Sequence, residues 1–144
     1  MGLGKTSITL TAINDLLFDS FEVSRVLVIA PIRVTRVWAE EIEKWDHLRG
    51  LTYSIAVGTA EERKTALSRK ADIYIINREN VGWLIDEMPF DFDMIVIDEL
   101  SSFKNHQTKR FKALMKARPK AKHIVGLTGT PTGNGLMDLY AEFR

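Results

Sequence analysis

The chain has no cysteine. That excludes disulfides, thiolate zinc sites and cysteine nucleophiles, and it is compatible with a reducing, intracellular setting. It also lacks any long apolar run. Stretches such as Val26–Ile32 are a few residues long, far short of the roughly 20 that a membrane span needs. No secretory signal is legible, because Asn14 and Asp15 interrupt the apolar stretch Ile8–Phe18 and no A-x-A follows. Internal repeats, low-complexity tracts and linkers are missing too. A formal net charge of +1 names no partner. His47, His106 and His123 are scattered without metal-ligand spacing, and there is no G-x-S-x-G elbow. What is present is ordinary. With 144 residues, 45% hydrophobic and 27% charged, the sequence has the make-up of one folded domain and not of a disordered tail.

Absences within segments say more. Asn80–Leu100 contains no base, while Glu79, Asp86, Glu87, Asp91, Asp93, Asp98 and Glu99 crowd in and just before it. Leu100–Met137 contains no acid, but it holds Lys104, Lys109, Arg110, Lys112, Lys116, Arg118, Lys120 and Lys122. Such a basic run is either a solvated helix face or a surface turned to phosphate.

Hydrophobic spacing predicts an alternation of helices and strands. Thr6–Leu17 has helical spacing through Ile8, Ala12, Ile13, Leu16 and Leu17. Arg25–Ala30 is an all-apolar, β-branched run of the kind buried in parallel sheets, and Pro31 ends it. Val34–Trp45 reads as a helix whose apolar face carries Trp38, Ile42 and Trp45, with both tryptophans expected in the core. Strands follow at Leu51–Val57, Ala71–Ile76, Met94–Asp98 and His123–Leu127. Helices are predicted at Thr59–Arg69, Asn80–Asp86, Thr108–Ala117 and Leu136–Phe143. Thr59 with Glu62 three residues on has the form of a capping box. Strands separated by helices mean an α/β fold with a mostly parallel sheet.

Three motifs carry chemistry. Gly2-Leu3-Gly4-Lys5-Thr6-Ser7 opens a predicted helix. Successive backbone N–H groups in a glycine-rich turn at a helix N-terminus form an anion site. Lys5 can then reach the β and γ phosphates of a nucleotide, and Thr6 can place its hydroxyl on Mg²⁺. The upstream glycine that begins the full loop pattern is not in this sequence. Asp98-Glu99 closes an apolar strand, where ligands collect in open α/β sheets. Asp98 can hold Mg²⁺ there, and Glu99 can orient and deprotonate a water. Leu127-Thr128-Gly129-Thr130-Pro131 also follows a strand, and its small hydroxyl residues could sense phosphate occupancy.

Taken in order, these motifs resemble the first motor lobe of superfamily two helicases, in particular Swi/Snf-type double-stranded DNA translocases. Ala30-Pro31 with Trp38 and Glu41-x-x-Lys44-Trp45, Lys104-Asn105, and Asn134 belong to the same resemblance, which covers nearly the whole chain. It implies a RecA-like P-loop lobe over residues 1–144, using ATP and Mg²⁺ and acting inside the cell: cytoplasmic, nucleoid-associated, or nuclear in a eukaryote. It also implies that Pro31, Arg33 and Arg78 lie at the nucleic-acid backbone, and that Thr128, Gly129 and Thr130 couple hydrolysis to DNA. Phosphate contacts of this kind do not read sequence. The partners implied are duplex DNA and a second RecA-like lobe bearing an arginine for the transferring phosphate, with no membrane. Relative to the family, a strand before the phosphate loop, lying between the last two strands of the sheet, and the second lobe are absent. The isolated chain is therefore expected to bind nucleotide weakly and to turn it over slowly or not at all. The usual Asp-Glu-Ala-His reads Asp98-Glu99-Leu100-Ser101 here. Two other readings stay open: a P-loop nucleotide kinase, and a non-enzymatic lobe that binds nucleotide or DNA passively.

Overall fold

The computed structural model describes residues 3–19, 24–45, 48, 50–88, 91–100, 103, 108–117, 123–127 and 136–138; for 3–7, 19, 108, 117 and 136–138 it describes the backbone alone. The runs rich in valine and isoleucine become strands buried on both faces. β1 is Val26–Ala30, β3 Ile73–Asn77 and β4 Met94–Ile97, with every residue buried. β2 (Tyr53–Ala56) alternates half-buried and buried positions, β5 is His123–Leu127, and β6 is Leu136–Asp138. The order across the sheet is β2-β3-β1-β4-β5-β6. The first five strands are parallel, and β6 pairs antiparallel with β5.

Side-chain alternation splits the core in two. Val26, Val28, Ile73, Ile75, Met94 and Val96 point to one face. There they meet α1 (Leu3–Asn14, continued by a π-helical turn at Asp15–Asp19) through Leu10, Ile13 and Leu17, and α2 (Ile32–Lys44) through Trp38 and Ile42. Leu27, Ile29, Tyr74, Ile76, Ile95 and Ile97 point to the other face. That side is covered by α3 (Ala60–Ser68), α4 (Val81–Glu87) and α5 (Thr108–Ala117), which contribute Ala66, Leu67, Leu84 and Leu114. Helices on both faces of a parallel sheet form the α/β architecture expected from the alternation of elements.

Three expectations need correction. Leu136–Phe143 was expected to be a helix, but Leu136–Asp138 forms β6. The edge of β5 supplies backbone partners that local spacing does not register, and the last two predicted strands, here β4 and β5, pair directly with no gap between them. In α1 the buried stripe runs through Leu10, Ile13 and Leu17, whereas Ile8 is 61% exposed. Trp45 is not core either. The backbone turns extended at this residue, which is 37% exposed, and its indole N–H donates to Oε1 of the buried Glu41.

Candidate active site

The parallel register lines up the ends of the strands. Ala30 is opposite Asn77, Ile29 opposite Ile97, and Ile97 opposite Gly126. The residues that follow are therefore neighbours along one edge of the sheet: Pro31 and Arg33 after β1, Arg78 after β3, and Asp98 and Glu99 after β4. β1 lies between β3 and β4, so the chain changes direction across it. In open α/β sheets that is where ligands bind.

Asp98 is held from two sides. Its backbone N–H donates to the Ile29 carbonyl at 2.8 Å, which extends the ladder with β1. Its carboxylate oxygen Oδ2 accepts the indole N–H of Trp38 at 3.0 Å. Trp38 is fully buried and Asp98 is 6% exposed. A buried carboxylate needs such donors, because desolvation of the charge is otherwise uncompensated. Among the described residues, no three His, Cys, Asp or Glu side chains come together as a metal cage. One buried carboxylate at a strand end is a donor set that suits Mg²⁺, which keeps several waters and shares phosphate oxygens.

Glu99 differs. Its φ of 56° lies in the left-handed region, an uncommon conformation for a residue other than glycine. The turn aims Leu100 back at the sheet, where it is 3% exposed. Gly126 makes room for it, since a Cβ there would sit 2.5 Å from Leu100 Cδ2 and 3.2 Å from Cγ. The leucine that replaces the usual small residue thus packs against a glycine on the adjacent strand. The Glu99 carboxylate meets the Arg33 guanidinium, with Nη2 at 3.2 Å from Oε2 and 3.4 Å from Oε1. The Arg33 side chain is 69% exposed.

The remaining sequence-identified residues fall as follows. Leu3, Gly4, Lys5, Thr6 and Ser7 form the opening turns of α1, where helix N–H groups have no intrahelical partner. Gly2, Ser101, Lys104, Asn105, Thr128, Gly129, Thr130, Pro131 and Asn134 lie outside the described residues. Pro31 is buried, and its carbonyl accepts the Val34 N–H at 2.8 Å. The Arg78 side chain is mostly covered and lies 3.8 Å from Glu79. In the basic stretch, α5 turns Phe111, Leu114 and Met115 toward the core and exposes Lys109, Lys112 and Lys116. Arg110 donates to the Glu79 carbonyl at 3.0 Å, tying this helix to the turn after β3. Sequence reasoning placed Trp38 only in the core and missed its bond to Asp98. One signal was available, since a buried indole N–H usually finds an acceptor.

Comparison with known proteins agrees with the α/β fold. The SNF2-related domain family matches residues 1–143. A putative protein p41 from Acyrthosiphon pisum secondary endosymbiont phage 1 is 39% identical over 99% of this chain and 33% of its own length. An uncharacterized ATP-dependent helicase, MG018, of Mycoplasma genitalium is 31% identical over 99% of this chain and 14% of its own length. The Sulfolobus solfataricus SWI2/SNF2 ATPase core, solved in complex with double-stranded DNA, superposes with a TM-score of 0.74 at 33% identity, covering 93% of this chain and 27% of that one. The chain thus spans about a third or less of the length of these relatives. The α/β sheet is that of the SWI2/SNF2 ATPase core, and the chain belongs to the SNF2-related domain family.

Proposed function

We propose that this chain is the ATP-binding lobe of an ATP-dependent DNA translocase or helicase, with hydrolysis of ATP by an in-line water coupled to movement along duplex DNA. The observation that carries this reading is the ion pair between Arg33 and Glu99. One partner is the carboxylate suited to activate water, and the other is an exposed cation in the first turn of α2, at a position where the resemblance implies contact with nucleic acid. Hydrolysis and DNA binding thus share a contact.

The roles follow from chemistry. The N–H groups at the start of α1, with Lys5, bind the β and γ phosphates. Thr6 and Asp98 would hold Mg²⁺, which supplies charge neutralisation on the phosphates. Glu99 orients the attacking water and accepts its proton. Arg33, 69% exposed, grips the DNA backbone without reading bases, whereas the burial of Pro31 and the covering of the Arg78 side chain leave these two to shape that edge and not to touch phosphate. Thr128, Gly129 and Thr130 pass phosphate occupancy to that grip. A second lobe of the parent supplies the arginine that stabilises charge on the transferring phosphate, an interaction worth about 10³–10⁵ in rate in related enzymes. The protein works wherever DNA is: cytoplasm, nucleoid or nucleus.

Lys5→Ala in the full-length protein tests this reading. Phosphate release in the presence of duplex DNA is expected to fall to background, and wild-type DNA affinity is expected to drop steeply with salt. Full hydrolysis by the variant would remove the phosphate loop from the mechanism, and a flat salt response would remove the backbone grip. Release of inorganic phosphate, with no transfer to a nucleotide, separates this function from that of a nucleotide kinase.

A further inference from the structure

We infer that Trp38 is the positioning residue for Asp98. Its indole N–H fixes the rotation of the carboxylate that holds the cation, an inference that rests on the role of Asp98 proposed above. The two residues are 60 apart in sequence and their contact is buried, at 3.0 Å. Neither can drift. Asp98 is tied by its own N–H to Ile29 of β1. Trp38 sits in the middle of α2, packed in one core cluster with Ile42, Leu10 and Val96. The first turn of that helix is in turn locked by Thr35 Oγ1, 2% exposed, donating to the Ile32 carbonyl at 2.8 Å.

A carboxylate that meets a hard cation must present its oxygens at one angle, and free rotation about its last bond would spread them over many. Partners behind the ligand set that angle, and their loss commonly costs about 10–100-fold in metal affinity. Indole suits this duty because it is a donor only. It cannot compete for the cation, and it carries no proton that titrates in the working range. The same α2 carries Arg33 in its first turn, paired with Glu99. One helix therefore holds both neighbouring carboxylates, Asp98 from within the core and Glu99 from the surface.

The test removes the N–H and keeps the shape. Trp38→Phe is one variant. Replacing Trp38 with β-(3-benzothienyl)alanine, which puts sulfur where the N–H stood, is the second and preserves the packed volume. In the full-length protein, Mn²⁺ serves as the probe, read by electron paramagnetic resonance in the presence of a non-hydrolysable ATP analogue. The Mn²⁺ concentration for half-maximal binding is expected to rise about 10–100-fold in both variants. Analogue binding measured without a divalent cation is expected to stay within about twofold of wild type. A lowered unfolding midpoint with unchanged Mn²⁺ binding in the benzothienyl protein, while Asp98→Asn does weaken Mn²⁺, would reduce Trp38 to packing and overturn the proposal. Mn²⁺ binding that survives Asp98→Asn would instead overturn the assignment of Asp98, and the role of Trp38 with it.

Discussion

The two edges of the parallel sheet use the same residue types to opposite ends. Along the N-terminal edge, the carboxylates and their donors satisfy one another. Asp93 Oδ2 accepts from the Ser24 N–H at 2.8 Å, from Ser24 Oγ at 2.7 Å and from the Arg25 N–H at 3.3 Å. Asp72 and Thr52 exchange bonds through backbone and side chain. Arg25 pairs with Asp91 and lies 4.9 Å from the ring centres of both Tyr74 and Phe92, so its cation is stacked as well as paired. Along the C-terminal edge, Asp98 is anchored from the core by Trp38, and Glu99 faces an arginine that is mostly in solvent. The first edge closes the sheet. The second keeps a carboxylate in contact with a cation that another anion can reach.

This contrast can be broken by substitution. The largest effect is expected at Glu99→Gln, which keeps size and hydrogen bonding but cannot take a proton from water. Positioned acid–base groups contribute about 10²–10⁴-fold in rate. Turnover of ATP should fall by that factor while nucleotide binding, measured by titration calorimetry, persists. Loss of binding instead of turnover would make Glu99 a ligand and not a base. At the opposite edge, Asp93→Ala should act on stability alone. It removes the shared acceptor of Ser24 and Arg25, whose donors water can reach, and a loss of about 0.5–1.5 kcal/mol is expected in urea unfolding. The folded fraction should hydrolyse ATP at the wild-type rate per molecule. A rate defect there would mean that the two edges are coupled and not separate.

How far the sequence foretold these edges depends on how local each feature is. The capping box at Thr59, with the Glu62 N–H donating to Thr59 Oγ1 at 3.2 Å and the Thr59 N–H to Glu62 Oε1 at 2.8 Å, was readable because both partners sit within one turn. β5 and α5 fall on the expected residues, since apolar β-branched content and a 3.6-residue period are local signals. Asp98-Glu99 was likewise legible as a strand-end pair. The same period misled at Trp45, where the spacing runs one residue past the helix, and at Leu136, where the unpaired edge of β5 outweighs helical spacing. The contacts that give the site its character span 60 and 66 residues. They follow from the parallel register of β1 with β4, which brings the start of α2 beside the end of β4. No window of sequence contains both partners, so composition and spacing could nominate the residues but not their pairing.

The smallest and most discriminating prediction concerns Arg33. If the C-terminal edge is built to exchange partners, as the proposed function requires, a DNA phosphate competes with Glu99 for the Arg33 guanidinium, and its binding there frees the carboxylate. Exposed ion pairs are worth about 0–1 kcal/mol, so the effects are a few-fold and directional. Arg33→Gln is expected to raise the DNA-free ATPase rate by up to about fivefold, since Glu99 loses its restraining partner. It should also shrink the stimulation by DNA and make the dependence of DNA affinity on log salt shallower by about one unit, the signature of one lost phosphate contact. Arg25→Gln is the matched control. It removes a cation of the same chemistry from the closed edge and should move none of the three readings. An Arg33→Gln protein that matches wild type in basal rate and in salt slope would mean that the pair is surface decoration, and the difference between the two edges would then rest on Trp38 and Asp98 alone.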